Sequence, residues 1–431
     1  MSKIEIKNCV IAAGGKGTRL ASQNNGTPKA LTHVNGREII FYQIDKFLEY
    51  GCVRIDILLG YKGSEIRDAV QKEFSDSNVQ INFHYESKPI GSGGAILQHL
   101  KLLPDIFFFT YCDIYFDFNF SRFVEHHFGN RAEISIVCHP NDHPHDSDLV
   151  VIDKNSKVVT LKPHPNFIND FPGNLVNAAF YILTKAALSR LNFIGFEDFA
   201  QGVITRLLKI SSVNAYVTHE LLKDMGTPDR LKRLNQSIAM HKSRKGSNVV
   251  FIDRDGTLND IIEGQYIRSP NELKLIPGAA TALAKIRKLG FLIVLITNQP
   301  VLARGEVDEQ GLNEIHARLD WLLSLEGAYL DYKFICPHHP ESGYHGEVIE
   351  LKIDCQCRKP KIGLFEQALD KIDINLATSW MVGDSWRDIR SGNDFGLQTC
   401  LISKENNDEA TLVLDSLPSF AQFLSQNRKD I

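Results

Sequence analysis

FIDRDGTLND, residues 251–260, decides how this chain is read. An apolar run, VVFID (249–253), ends in Asp253-x-Asp255-Gly256-Thr257. Residues two apart on a strand project to the same side, so Asp253 and Asp255 are expected to face one pocket at the strand's end. Downstream, apolar runs alternate with helical spacing: AATALAKIRKLG as helix, FLIVLIT (291–297) as strand, EQGLNEIHARLDWLLSLEG as helix and YKFIC (332–336) as strand. A helix in GLFEQALDKI, strands in SWMVGD (379–384) and TCLIS (399–403), and a closing helix in LPSFAQFLSQ complete that half. Upstream, the polar and basic run SIAMHKSRKGSN (237–248) breaks the pattern. Before it the alternation occurs a first time: strands in VIAA (10–13), IDILLG (55–60), DIFFFTYCDIYF (105–116), EISIVC (133–138) and LVNAAFYIL (175–183), with helices in IIFYQIDKFLEYG and SEIRDAVQKEF. The spacing predicts an α/β protein of two doubly wound domains, 1–236 and 248–431, joined by a linker at 237–247.

Length agrees, since 431 residues at roughly 150 per domain suggests two or three domains. A hydrophobic content of 43%, a charged content of 23% and 16 prolines are those of a globular protein rather than a disordered or fibrous one. A net charge of −4 argues against nucleic acid as a partner. The sequence predicts neither a secretory signal nor a membrane span, and a cytoplasmic protein is expected. Of eight cysteines, Cys336, Cys355 and Cys357 cluster beside histidines, which in a reducing compartment favours metal over disulfide. Oligomeric state is not legible.

The DRDGT run has three companions. LIVLITNQ places Thr297 at the end of the next strand, Arg358-Lys359-Pro360 supplies a basic pair, and MVGDSWRDI supplies Asp384 and Asp388. Four motifs in this order, each at a strand end or the loop after it, resemble the haloacid dehalogenase superfamily phosphatases. The resemblance implies that Asp253 attacks phosphorus and that Asp255 protonates the leaving alcohol and later activates water. It implies magnesium held by Asp253, the backbone carbonyl of Asp255 and Asp384, with Thr297 and Lys359 around the phosphoryl oxygens. Asp388 is expected to orient these groups rather than bind the metal.

Cys336-x-His338 and Cys355-x-Cys357 offer three thiolates and an imidazole, a donor set suited to a closed structural zinc site, with His339 and His345 as alternative fourth ligands. Together with TNQ followed by ARGEV, these residues resemble the zinc-containing heptose 1,7-bisphosphate phosphatases, with histidinol phosphatases as near relatives, over about residues 248–403. Arg304 and Arg358 are candidates for gripping the distal phosphate of a bisphosphorylated substrate. Pro300-Val301-Leu302 and Lys361-Ile362-Gly363 depart from the family pattern near the substrate entrance.

In the first half, IAAGGKGTRL ends a buried strand in Gly14-Gly15-Lys16-Gly17-Thr18-Arg19-Leu20. Glycines let backbone N–H groups approach phosphate oxygens, and Lys16 and Arg19 can offset polyphosphate charge. With Pro28-Lys29 following, this stretch resembles the sugar-1-phosphate nucleotidyltransferase family over about residues 8–235. The resemblance implies nucleotide contacts at Gly14, Gly15, Gly17, Thr18, Gly93 and Gly94, catalytic cations at Arg19 and Lys29, and a magnesium pair at Asp113 and Asp224. It also implies sugar-phosphate contacts at Lys162, Asn177 and Glu197. Cys112 and Ala179 stand where the family commonly has glycine, which bears on whether this half is catalytic.

Together the halves are expected to form a bifunctional enzyme of nucleotide-activated heptose synthesis, removing the 7-phosphate and coupling heptose 1-phosphate to a nucleotide, with GTP favoured. The alternatives are a phosphatase with a nucleotide-sensing first domain, or a transferase for another sugar 1-phosphate using UTP or CTP.

Overall fold

The computed structural model describes residues 5–15, 26–141, 144, 147–162, 173–241, 246–262, 264–405 and 407–427. Two compact units emerge. Met1–His139, Val150–Pro163 and Asn177–Ser243 form the first, and Pro140–Leu149, His164–Val176 and Arg244–Ile431 the second.

The first unit is built on a nine-stranded mixed sheet. Asn8–Ala13 lies at its centre, paired in parallel with Arg54–Leu59 on one side and Ile106–Tyr111 on the other. Gln80–Tyr85 continues the parallel half beyond Arg54–Leu59, and Leu175–Thr184 pairs antiparallel with Ile106–Tyr111. The central strands read as unbroken apolar runs because both faces are covered. Cys9, Ile11 and Phe108 enter one core with Phe47 and Phe180, while Val10, Phe107 and Phe109 enter the opposite one with Tyr181 and Phe199. The helices Ile39–Tyr50 and Gly63–Glu73 fall where periodicity places them.

One expected strand, 105–116, is two. Ile106–Tyr111 belongs to the main sheet, whereas Ile114–Asp117 leaves it to pair antiparallel with Leu221–Asp224. The break leaves Cys112 and Asp113 at the end of the sheet strand. A π-helix, Phe199–Ile204, was not anticipated from periodicity. The helix Pro228–His241 also extends through the first five residues of the stretch read as a linker. Leu231, Leu234 and Ile238 keep helical spacing there and pack together, which outweighs the polar residues between them. Residues 242–245 lie outside the described ones.

The second unit holds a six-stranded, all-parallel sheet. Its spatial order is Tyr332–Cys336, Leu292–Asn298, Val249–Ile252, Trp380–Gly383, Gln398–Ile402 and Leu412–Leu414. The order reverses at Val249–Ile252, and a doubly wound sheet opens its crevice at the carboxyl ends of the strands flanking such a reversal. Asp253 and Asp384 follow the two strands that meet there. Val250 and Ile252 pack on one face of the sheet, Val249 and Phe251 on the other. The closing helix is Leu417–Gln426. Among the described residues no helix is long and apolar enough to cross a membrane.

Candidate active sites

At the reversal point, Lys359 is buried among carboxylates. Its Nζ lies 2.9 Å from Asp253 Oδ1 and 2.5 Å from Asp388 Oδ1, and it donates to the Ile296 carbonyl at 2.9 Å. Burial would lower the pKa of this ammonium, but Asp253 and Asp388 together hold it above its usual value. Asn298 fixes the Lys359 backbone from both sides, accepting from its N–H at 3.0 Å and donating to its carbonyl at 3.1 Å. Asp388 is committed on both oxygens, since its Oδ2 accepts from the Ser385 N–H at 3.1 Å and from the Ser385 hydroxyl at 2.7 Å, capping the helix Trp386–Phe395.

Oxygens of Asp253, Asp384 and Asp388 converge within 4.8 Å of one another. Burial, reinforced by Asp388 and Asp255 against the pull of Lys359, raises the pKa of Asp253. Asp384 is pushed up to about 6 by burial and by Asp388. Asp253 Oδ1 is fully buried, with the Lys359 ammonium as its partner. Three crowded carboxylates against a single ammonium suit a hard divalent cation, and Asp253 and Asp384 are less fully committed than Asp388, both of whose oxygens are taken. Gly256 is required by this packing. It has φ +82°, and a Cβ there would lie 2.1 Å from Asp384 Oδ2.

Asp255 is turned toward a set of donors whose roles the motif alone does not disclose. Arg254, fully buried, donates from Nε and Nη2 to Asp255 Oδ1 and from Nη2 to Oδ2, each at 3.0 Å. Asn259 Nδ2 donates to Oδ1 at 3.0 Å and Gln299 Nε2 to Oδ2 at 2.8 Å. Gln299 also donates to the buried Thr297 hydroxyl at 2.9 Å, leaving the Thr297 proton available to a phosphoryl oxygen. Arg254, Asn259 and Gln299 all lie within the quoted motifs, so their adjacency was the available signal; their convergence on Asp255 was not.

The cysteine cluster is compact. Cys336, His338, Cys355 and Cys357 bring one ligand atom each together. Measured edges are 3.6 Å (Cys336–Cys355), 3.3 Å (Cys355–Cys357), 3.2 Å (His338 Nδ1–Cys357) and 3.8 Å (Cys336–His338 Nδ1). A tetrahedron with metal–sulfur bonds of about 2.3 Å has edges of roughly 3.8 Å, so the set fits zinc. Cys357 is held well below the usual thiol range by hydrogen bonding from Cys336 and Cys355, while the same contacts raise Cys336. Of the alternative ligands, His339 instead accepts the Glu341 N–H at 3.3 Å. Arg358 is tied to this centre through a 3.2 Å hydrogen bond to the His338 carbonyl.

In the first unit Gly14 and Gly15 follow the central strand, and a Cβ at Gly15 would meet nothing within 4 Å. Lys16, Gly17, Thr18 and Arg19 lie outside the described residues. Lys29 ion-pairs with Asp113 Oδ2. The Met225 N–H donates to the Asp113 carbonyl at 3.0 Å, and Asp224 pairs with Ile114 across the small sheet. A Cβ at Gly226 would lie 2.8 Å from Asp224 Oδ2 and 3.9 Å from Lys29 Nζ, so Lys29, Asp113 and Asp224 gather around one glycine. Arg230 donates to Asp224 Oδ2 at 2.8 Å.

The other residues expected to contact substrate have partners within the protein. The Gly93 and Gly94 N–H groups donate to the Glu197 carbonyl at 2.9 and 3.2 Å, so these glycines serve close packing. The Glu197 carboxylate is buried, and both its oxygens accept from Arg206 Nη1, at 3.0 and 2.9 Å. Asn177 donates to the Tyr181 hydroxyl at 2.7 Å and accepts the Ala179 N–H at 2.9 Å, while Lys162 ends the strand Val158–Lys162. Glu86 lies directly over the loop, its Oε1 2.7 Å from the position a Gly14 Cβ would take. Cys112 packs into the apolar core, and burial pushes its thiol up to about 12.

Comparison with known proteins follows this division. The family described as nucleotidyl transferase matches residues 8–241, and the one described as HAD-hydrolase-like matches residues 356–421. D-glycero-beta-D-manno-heptose-1,7-bisphosphate 7-phosphatase of Haemophilus ducreyi is 37% identical over 188 residues, 42% of this chain and 100% of that protein. The same-named protein of Vibrio cholerae is 34% identical over 187 residues, 42% of this chain and 97% of its own. Among solved structures, HddC from Yersinia pseudotuberculosis aligns with 23% identity and a TM-score of 0.47, covering 54% of this chain and 100% of its own. The chain thus belongs to the nucleotidyl transferase family through residues 8–241 and, through its phosphatase half, to the family of the D-glycero-β-D-manno-heptose-1,7-bisphosphate 7-phosphatases.

Proposed function

We propose that the chain is a bifunctional enzyme that removes the 7-phosphate from D-glycero-D-manno-heptose 1,7-bisphosphate and transfers a nucleotidyl group to the heptose 1-phosphate so formed. The observation that carries this reading is the presence, on one chain, of the Asp253–Lys359–Asp388 cluster in a heptose-phosphatase framework and the separate Lys29–Asp113–Asp224 cluster in a nucleotidyltransferase framework. The product of the first reaction is chemically the acceptor of the second.

In the phosphatase, an oxygen of Asp253 forms a bond to phosphorus as the bond to the sugar 7-oxygen breaks. Asp255, oriented by Arg254, Asn259 and Gln299, donates its proton to the departing oxygen and then takes one from the water that hydrolyses the aspartyl-phosphate. Lys359 and the Thr297 hydroxyl offset the phosphoryl charge. In the transferase, an oxygen of the sugar 1-phosphate attacks the α-phosphorus of the nucleoside triphosphate, and pyrophosphate leaves. Lys29 there offsets charge, and no covalent enzyme intermediate is needed.

Magnesium, when bound, neutralises phosphate charge and aligns the reacting groups. Asp253, the Asp255 carbonyl and Asp384 would hold it in the phosphatase, Asp113 and Asp224 in the transferase. Zinc in the Cys336, His338, Cys355 and Cys357 set would be structural, holding Arg358 and Lys359 in place. GTP is the favoured donor, and a nucleotide-consuming enzyme with free cysteines suits the cytoplasm.

Phosphorus NMR of the purified protein with magnesium, the bisphosphate and each nucleoside triphosphate in turn tests both reactions. Loss of the 7-phosphate signal, followed with one triphosphate by pyrophosphate and a nucleotide-sugar, is expected. Phosphate release without pyrophosphate from any triphosphate would sink the transferase half and favour a nucleotide-sensing first domain.

A further inference from the structure

The loop between the two pairs of zinc-type ligands does more than connect them. Its segment 343–347 is seated on the loop that carries Arg304: a Cβ at Gly305 would lie 1.8 Å from the Gly346 carbonyl oxygen, and the Val348 N–H donates to the Ala303 carbonyl at 3.1 Å. Glu347 braces the segment, accepting the N–H groups of Gly343 and Tyr344 at 3.0 and 3.1 Å and pairing with Lys352 at 3.2 Å. The bracing brings the Tyr344 ring to 4.4 Å from the Arg304 guanidinium carbon, with the Tyr266 ring at 4.9 Å.

Aromatic faces attract the flat face of a guanidinium and leave its N–H edge free to donate. Arg304 also has a buried Nε with no hydrogen-bond partner among the described residues, so that donor is not spent on the protein. Arg304 borders a cleft of about 340 Å³ lined by Arg268, Arg304, Glu306, Tyr344 and His345. Among the described residues of that lining the one carboxylate, Glu306, is paired with Arg268 at 2.7 Å, so the cleft remains cationic and suited to a phosphate dianion.

We infer that Tyr344, with Tyr266, is a positioning residue that presents Arg304 to the non-reacting phosphate and so sets the preference of the phosphatase for a bisphosphate over a monophosphate. The inference rests on the proposed phosphatase reaction. Its test compares heptose 1,7-bisphosphate with heptose 7-phosphate on the full-length protein. For Tyr344→Ala, KM for the bisphosphate rises about tenfold with kcat within about twofold, as loss of a desolvated cation–aromatic contact predicts. Turnover of the monophosphate stays unchanged, and Tyr344→Phe behaves as the parent protein because the ring face is retained. Equal losses on both substrates, or a Tyr344→Phe defect as large as that of Tyr344→Ala, would overturn the inference. So would a Tyr344→Ala protein that keeps its bisphosphate preference while Arg304→Met loses it. A parent protein with no preference between the two substrates would instead overturn the bisphosphate reading itself.

Discussion

Ala179 has φ +57°, in the left-handed region where a Cβ crowds the following carbonyl. The conformation is imposed from two sides, because Asn177 Oδ1 accepts the Ala179 N–H at 2.9 Å and the Thr110 hydroxyl donates to its carbonyl at 3.1 Å. The departure from glycine here therefore carries a strain cost. Ala179→Gly should stabilise the first unit by about 1 kcal/mol, read as a shifted denaturation midpoint with unchanged slope. A destabilised variant would mean that the flexibility glycine gives the unfolded chain outweighs the relief of strain. Cys112 is the opposite case, since its side chain lies in the core and strains nothing. Arg254 matters through geometry as much as charge. A lysine cannot supply its three bonds to Asp255, so Arg254→Lys should lower phosphatase kcat by about 10–100-fold while leaving KM nearly unchanged. A steady-state comparison showing only a raised KM would contradict that role.

The helix Phe120–Gly129 illustrates how an element can carry a pH response away from any active site. It is capped by Asn119, which accepts the Arg122 N–H at 3.0 Å, and it buries Phe120, Phe123, Val124 and His127 on one side. His127 shares a 2.8 Å hydrogen bond with Ser135, and burial, aided by His126, depresses its pKa to about 4. Above the unfolded value near 6.5 both states are neutral and nothing is lost. As pH falls from there toward 4, the unfolded chain takes up a proton that the folded unit refuses, so stability falls. Between pH 7 and pH 5 the loss should approach about 2 kcal/mol. His127→Asn should flatten that slope in denaturation curves; an unchanged slope would exclude His127 as its source. The same residue partly masks the helix in the sequence: Phe120, Phe123 and Val124 keep helical spacing, but the fourth buried position of FSRFVEHHFG is a histidine. Strands buried on both faces were legible because their runs are continuous, and the cysteine cluster because the ligands come in close pairs. Tyr344, Arg254 and the packing of Gly93 and Gly94 against Glu197 were not, because each depends on a partner that only folding brings near.

At the scale of the whole chain, the two chemistries use disjoint sets of residues. Every group assigned to phosphate removal, from Asp253 to Asp388, lies within the second unit, and Gly14, Lys29, Asp113 and Asp224 lie within the first. Each unit has its own apolar cores on both faces of its sheet. Asp253→Asn should therefore abolish phosphate release while leaving pyrophosphate release from heptose 1-phosphate and the triphosphate intact. Asp113→Asn should do the reverse, because it removes one of two carboxylates expected to hold the metal. Fusion in that case raises the local concentration of an intermediate that is nevertheless free to leave. Mixing the two variants with the bisphosphate and the triphosphate should then restore nucleotide-sugar formation, after a lag in which free heptose 1-phosphate accumulates. Failure of the mixture, with each variant still active in its own half-reaction, would show that the intermediate is passed on without release and that the halves are coupled in a way their separate residue sets do not require.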